Sequence, residues 1–489
     1  MTWASNSSPT GSSSRRRGSH ERLLLAWGAA WTLAALVWLL IGAARATGAW
    51  RTETLTPAGA VAPAALSFDP AGDGLLLWGG NPYALQPPRP FDGSELRAAN
   101  GIWGPAPGPP FTAIEQLQVY GHGRALLIGA EAVTAKGGTP PPGSIPCCGG
   151  YPGTVSRVQV LYADGLASGG FGPVKVLDQN GSPPESATDA RGDAVVAWVH
   201  AGRYRVVERV AAGQFSAPLT LPGRVLAGDP FAVALDMRGK RVLAWIERRE
   251  LYARTRTTHG GWGAATQVLR LPTPARPVPT IKLSAAIAPS GRVVLAWETA
   301  SGCEACATVL RAGAARQAPD GHWRAFAFER SKIPQSAPGG AVQDGLAGII
   351  PLVDSFGRVY LVWTGGLQGA PIVKLAELTA AGIGLWTPLS DSWVGAALDD
   401  AVAGPGGALL VSWFDVSHST SGIGSVYASL RRGSGRFALA VKLTGENITG
   451  RSGLVGFQPL TGEALVVSGV IERGSTSLRI STEAGGSPP

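Results

Sequence analysis

The sequence predicts an all-β chain folded as a β-propeller of eight four-stranded blades, with seven as the alternative count, behind an N-terminal transmembrane or signal helix. Three observations carry this reading. A hairpin phrase recurs eight times, a constant four-strand pattern surrounds each copy, and one long uncharged run lies near the N-terminus.

The phrase has the form D-x-x-G-x5-W. It is complete at Asp69/Gly72/Trp78, Asp189/Gly192/Trp198, Asp236/Gly239/Trp245 and Asp354/Gly357/Trp363. Without the Asp it recurs at Gly291/Trp297 and Gly407/Trp413, and fainter copies at Gly123 and Gly462 keep the glycine and the apolar run. Eight copies across residues 72–462 give a mean period of about 56, the spacing of a repeat architecture.

An Asp three residues before a Gly marks a tight turn, the carboxylate bonding the backbone and the Gly taking the left-handed conformation. The Asp and Trp of the phrase are therefore assigned to turn and core. The segment before each turn is a short strand, and the one after it, such as RVLAW or AVVAW, is apolar on both faces and belongs between packed layers. A more alternating strand follows, then an aromatic and a short outer strand. Four antiparallel strands, buried first and polar last, make a propeller blade.

The closing aromatic appears as Trp103, Phe171, Phe215, Trp262, Trp323, Trp386 and Phe437, seven times, and the eighth unit lacks it. The stretch GAWRTETL at 48–55 has the form of the missing strand. An N-terminal strand completing the C-terminal blade closes the ring and removes the open edge.

Upstream, residues 23–44 are free of charge and follow Arg15, Arg16, Arg17 and Arg22. At roughly 1.5 Å per residue the run crosses a ~30 Å hydrocarbon core, and the arginines place the N-terminus in the cytoplasm. Four regions result: a basic cytoplasmic tail at 1–22, a signal-anchor or signal peptide at 23–46, the propeller at 47–485 and a short tail at 486–489. The expected location is the cell membrane, single-pass with an extracytoplasmic propeller, or secretion after cleavage near Ala46. The formal charge of +9 is spread thinly beyond the N-terminal cluster, which argues against a nucleic-acid partner.

The eight D-x-x-G-x5-W-like hairpins behind an export segment resemble the uncharacterised secreted or membrane-anchored β-propeller proteins of bacteria. The chain is also distantly similar to sialidase-type propellers, whose Asp-box reads S-x-D-x-G-x-x-W. Here the Asp–Gly spacing is three and the Trp lies further on. That resemblance implies a glycan-cleaving site built on three arginines, a Tyr/Glu pair and an acidic residue, none singled out by local sequence among 35 arginines.

Candidate chemistry is sparse. Cys147-Cys148 and the pair Cys303 and Cys306 fall in loops between second and third strands, and outside the cytoplasm such close pairs read as disulfide candidates. The six histidines show no metal-ligand spacing, so no metal and no cofactor are expected. Asp399-Asp400 is a paired carboxylate, but strict strand alternation points adjacent side chains to opposite faces. Trp393 is the one Trp after residue 46 outside the repeating slots. With Asp391 and Asp399 beside it, it is the ligand-binding candidate, for a glycan or a protein partner on the loop face, as much as a packing residue. The functional expectation is a non-catalytic envelope-associated binding or scaffold protein, with a sialidase-like or other glycan-cleaving propeller enzyme as the alternative.

Overall fold

The computed structural model describes residues 50–55, 63–79, 91–134, 155–271, 280–301, 308–333, 348–415, 425–444, 453–472 and 475–483, with short breaks at 99, 111–113, 223–224, 226–229, 258–259, 368–369 and 392–394. Trp50–Pro489 forms one compact unit. It is a β-propeller of eight blades, each an antiparallel sheet of four strands, the second blade carrying one additional short strand. Among the described residues no helix is long and apolar enough to cross a membrane, and residues 23–46 lie outside them.

The inner strands of blades 1 to 8 are Pro63–Phe68, Ile114–Tyr120, Glu185–Thr188, Phe231–Leu235, Thr280–Ile287, Ile350–Val353, Ala396–Ala403 and Leu454–Phe457. Neighbouring inner strands touch all the way round, blade 8 meeting blade 1. The closing strand is Trp50–Leu55, which pairs antiparallel with Ser475–Glu483 from Trp50↔Glu483 to Leu55↔Leu478. The outer position of blade 8 is thus filled from the other end of the chain, and the ring has no unpaired edge there.

Second strands are buried on both sides because one face packs on the preceding blade and the other on the following one, as Leu76 and Trp78 lie with blade 8 and Leu75 and Leu77 with blade 2. Leu75 to Trp78, Ala194 to Trp198 and Val242 to Trp245 are all at most 3% exposed. Trp297, Trp363 and Trp413 hold the same place in blades 5, 6 and 7 and are buried too, Trp413 stacking on Tyr427 of the adjoining strand with ring centroids 6.2 Å apart. Each second strand connects to its inner strand by the recurrent turn. In four blades the Asp carboxylate accepts the backbone N–H four residues on, at 2.9 Å for Asp69, 3.0 Å for Asp189, 2.8 Å for Asp236 and 2.9 Å for Asp354. The other Asp69 oxygen accepts the N–H of Gly123, the turn glycine of the next blade, at 3.0 Å.

The turn glycine answers two demands. At Gly192 φ is +82°, a region that L residues rarely adopt, and a Cβ there would stand 2.7 Å from the Tyr120 ring of the preceding blade. Gly407 repeats the arrangement against Phe356, at 2.5 Å, and Gly72 repeats it against Gln458 of blade 8. Gly239, Gly291 and Gly357 share the backbone conformation, with φ of +81°, +76° and +78°. The close approach is not shared by every copy, since the nearest atom to a Cβ on Gly357 is 3.7 Å away, in Pro289. Where it occurs, the turn of one blade rests on a side chain of the blade before it and seals the seam.

Two further devices cross the seams. Asp178, closing blade 2, accepts the Trp198 indole N–H at 2.7 Å and an Arg205 N–H at 3.0 Å, both from blade 3. Burial alone would raise its pKa, but the Asn180 N–H, the Trp198 indole, His200 and Arg205 outweigh it and hold the carboxyl below its ordinary value. Glu329 of blade 5 repeats the device on blade 6, with the Trp363 indole at 3.1 Å and Lys374 at 2.8 Å. The second device is an arginine ending the third strand. Arg97 pairs with Glu463 of blade 8, Arg209 with Asp164 of blade 2, and Arg256 with Glu208 of blade 3.

Candidate functional site

Inner strands start, and second strands end, on one face of the ring, where the connections after the second and outer strands open. Charged side chains gather at the channel mouth on that face. Among the described inner-strand residues they are Glu115 of blade 2, Glu185 of blade 3, Lys282 of blade 5, and Asp399 and Asp400 of blade 7.

Register places all five at one level. Glu185 stands opposite Ala197 and Asp400 opposite Ser412, in each case the residue before the blade's Trp, while Lys282 stands opposite Glu298, the residue after Trp297. Glu115 and Asp399 are the extra residues of bulges, between Ile114 and Gln116 and between Leu398 and Asp400. These offsets span two residues, about 7 Å along a strand. The five form a belt of four carboxylates and one ammonium.

The bulge corrects the sequence expectation for Asp399 and Asp400. An extra residue breaks strict alternation and re-aims a side chain, and here both carboxylates approach the inner strand of blade 8. Asp400 accepts the Val455 N–H at 3.1 Å, and Asp399 Oδ2 lies 2.5 Å from where a Cβ on Gly453 would be. A side chain at position 453 would displace that carboxylate.

The belt's electrostatics follow from its position. Glu115 and Glu185 retain accessible surface, yet the surrounding blades strip away most of their bulk solvation. Burial pushes Glu115 up to about 6. Burial and the nearby Glu115 charge push Glu185 up to about 7, against the pull of Lys282. Asp400 rises to about 7 through burial and the Asp399 charge, although two backbone N–H groups favour its ionised form. One strand outward, Glu298 is 1% exposed and rises to about 8 through burial and the Glu329 charge, Lys282 opposing. Below the mouth, Gln116, Gln118, Ser186 and Thr188 link the inner strands of blades 2 and 3 by hydrogen bonds of 2.8 to 3.0 Å.

A second concavity lies on the outer rim at the seam of blades 8 and 1. It is a groove of about 370 Å³ whose lining includes Glu53, Glu95, Ile102 and Trp103. Burial, then the Glu53 charge, raises the pKa of Glu95. Among the described residues no group of three or more His, Cys, Asp or Glu is arranged to hold a metal ion.

Of the sequence candidates, Asp399 is in the belt and Asp391 is exposed beyond the outer strand of blade 6. Trp393 and the four cysteines, Cys147, Cys148, Cys303 and Cys306, lie outside the described residues. The residues of the repeated phrase stay apart from the mouth. Gly72, Gly239 and Gly357 sit in turns at the opposite end of the inner strands, and Trp413, although close to the level of Asp400, is 2% exposed between blades. Sequence reasoning missed Glu115, Glu185 and Lys282. Their signal is a charged residue in the first half of an inner strand, as in IEQLQVY, ESAT and TIKLSAAI.

No protein-family model matches the chain, and no curated protein matches it. Similar solved structures include a luciferin-regenerating enzyme, at 13% identity over 63% of this chain and 93% of that one with a TM-score of 0.32. A Hadza microbial sialidase shares 12% identity over 67% of this chain and 73% of its own, at 0.32. YCF48 bound to D1 peptide shares 10% over 88% and 94%, at 0.35. These propeller neighbours are of mixed function and assign none.

Proposed function

We propose that the chain is a non-catalytic binding protein of the cell envelope. Residues 23–46 hold it in the membrane, the propeller lies outside, and the channel mouth takes a ligand bearing a primary ammonium group. The observation that carries this is the belt: Glu115, Glu185, Asp399 and Asp400 against one ammonium, Lys282, among the described inner-strand residues, at the end of the channel where the longest connections open. Partly desolvated carboxylates attract a cation more strongly than surface ones, since less water screens them. The same charge repels the carboxylate of a sialic acid and the phosphates of a nucleic acid.

Calorimetric titration of residues 47–489 with spermidine at pH 8 tests the site. Saturable binding that vanishes by pH 5, where Glu115, Glu185 and Asp400 are protonated, supports it. Absence of binding at pH 8 removes it. The anchor is tested separately, by protease added to intact cells. Digestion of the propeller with residues 1–22 spared agrees with the orientation, and protection of the propeller contradicts it.

The glycan-cleaving alternative has one observation in its favour, the seam groove, where a carboxyl of raised pKa, a second carboxylate and an indole stand together. Release of aryl groups from a panel of aryl glycosides, abolished by Glu95→Gln, would establish that reading over the non-catalytic one.

A further inference from the structure

The face opposite the channel mouth carries the turns between first and second strands and between third and outer strands. Its buried charged groups include the aspartates Asp69, Asp189, Asp236 and Asp354, all at most 8% exposed and bonding the backbone of their own turns, and the arginines Arg97, Arg209, Arg241 and Arg431. Exposed apolar and basic side chains surround them. Met237, Phe356 and Leu460, at or near the tips of the first turns of blades 4, 6 and 8, are 61–68% exposed, and Ile102, Val210 and Leu385, at the second turns of blades 1, 3 and 6, are 63–98% exposed. Between them stand the exposed Arg124, Arg191, Arg238 and Arg436, with Asp320 an exposed carboxylate among the described turn residues. Arg358 lies over the Phe356 ring at 5.1 Å.

Although Phe356 also packs against Gly407 and Leu460 lies beside Gly72, most of the apolar area of these side chains, set among arginines, stays in water in the isolated fold. They match the two layers of an anionic membrane interface, which buries apolar groups at the acyl boundary and attracts cations at the headgroups. The chain's own path leads to the same face. Trp50 begins the closing strand opposite Glu483, which itself pairs with Ala464, the start of the second strand just after the blade 8 turn. The uncharged run ends at Ala44, and the six steps from it to Trp50 reach at most about 22 Å. A bilayer holding that run is within reach of the turn face, whereas the channel mouth lies a strand length further away.

We propose that the turn face docks on an anionic lipid surface, its apolar tips entering the interface and its arginines meeting the headgroups, so that the acidic channel mouth points away from the membrane. The orientation rests on the envelope reading above. The lipid contact stands on the face itself.

The test uses residues 47–489, which contain every blade, the closing strand and the whole described core, and which lack the apolar run that would bind any bilayer. Cosedimentation is measured with vesicles of phosphatidylcholine alone and with about one third phosphatidylglycerol. The expected result is binding several-fold higher on the anionic vesicles, reduced at least about fivefold by Met237→Ser/Leu385→Ser/Leu460→Ser and also by Arg238→Glu/Arg436→Glu. An unchanged melting temperature for either variant shows that the loss is not unfolding. Equal sedimentation with both vesicle types, no effect of either variant, or capture of a soluble protein without vesicle binding overturns the proposal. Spermidine binding at the mouth stays unchanged in these variants, so failure of one site is distinguishable from failure of the other.

Discussion

Lys282 and Glu298 stand opposite each other on the first two strands of blade 5, yet only the lysine reaches solvent. Neither Glu298 oxygen has a hydrogen-bond partner among the described residues, and with its pKa near 8 the carboxyl keeps its proton at neutral pH. A folded pKa above the unfolded value of about 4.3 means that the native state holds the proton more tightly. Stability from this group is full below about pH 4 and falls as pH rises towards about 8. Glu115, Glu185 and Asp400 act with the same sign. The melting temperature of the propeller is expected to drop between pH 5 and pH 8, and Glu298→Gln to flatten the slope and raise the value at pH 8. A steeper slope in the variant would show that Glu298 is ionised in the fold.

Asp178 ties the blade 2–3 seam through Trp198, His200 and Arg205. Asp178→Ala leaves a buried indole N–H and a cation without their acceptor, a loss of about 3–5 kcal/mol. Asp178→Asn, which keeps an acceptor oxygen, is expected to lose less. Denaturant unfolding of both variants checks the order.

The two demands on the turn glycine can be separated. Gly192 and Gly123 both have positive φ, but a Cβ meets the Tyr120 ring at the first and nothing within 4 Å at the second. Gly123→Ala is expected to cost about 1–2 kcal/mol from backbone strain alone. Gly192→Ala adds a clash with Tyr120, and unfolding midpoints should rank it clearly below.

Much of this fold was legible because it is written eight times. The Asp, the Gly and the Trp recur at fixed offsets, and a lone closing strand at 48–55 was visible as the part missing from the eighth copy. What the offsets could not separate is a glycine needed for its backbone alone, as at Gly357, from one that must also admit a neighbouring side chain, as at Gly72. Another repeat was equally available and unused. Arg97/Trp103, Arg209/Phe215, Arg256/Trp262 and Arg431/Phe437 share one R-x5-aromatic spacing, and in three of them the guanidinium stacks over the ring at 5.8 or 5.9 Å. The belt was hidden for a physical reason. Its members come from four blades up to 285 positions apart, none repeats, and two sit on bulges that change which way a strand residue points.

Ring closure makes its own prediction. Removing residues 47–56 uncovers the edge of Ser475–Glu483 and takes Leu55 from the blade 8–1 core. The shortened propeller is expected to melt lower and to associate through the bared strand, observable by scattering at increasing concentration.

The acidic mouth as a binding site is tested most directly by spermidine titration of two opposed variants at pH 8. Glu185→Gln removes one carboxylate of the belt, and Lys282→Met removes the belt's ammonium. Affinity should fall in the first and rise in the second, each by several-fold and with the same stoichiometry. Changes of the same sign in both variants, or no change in either, would contradict binding at the belt.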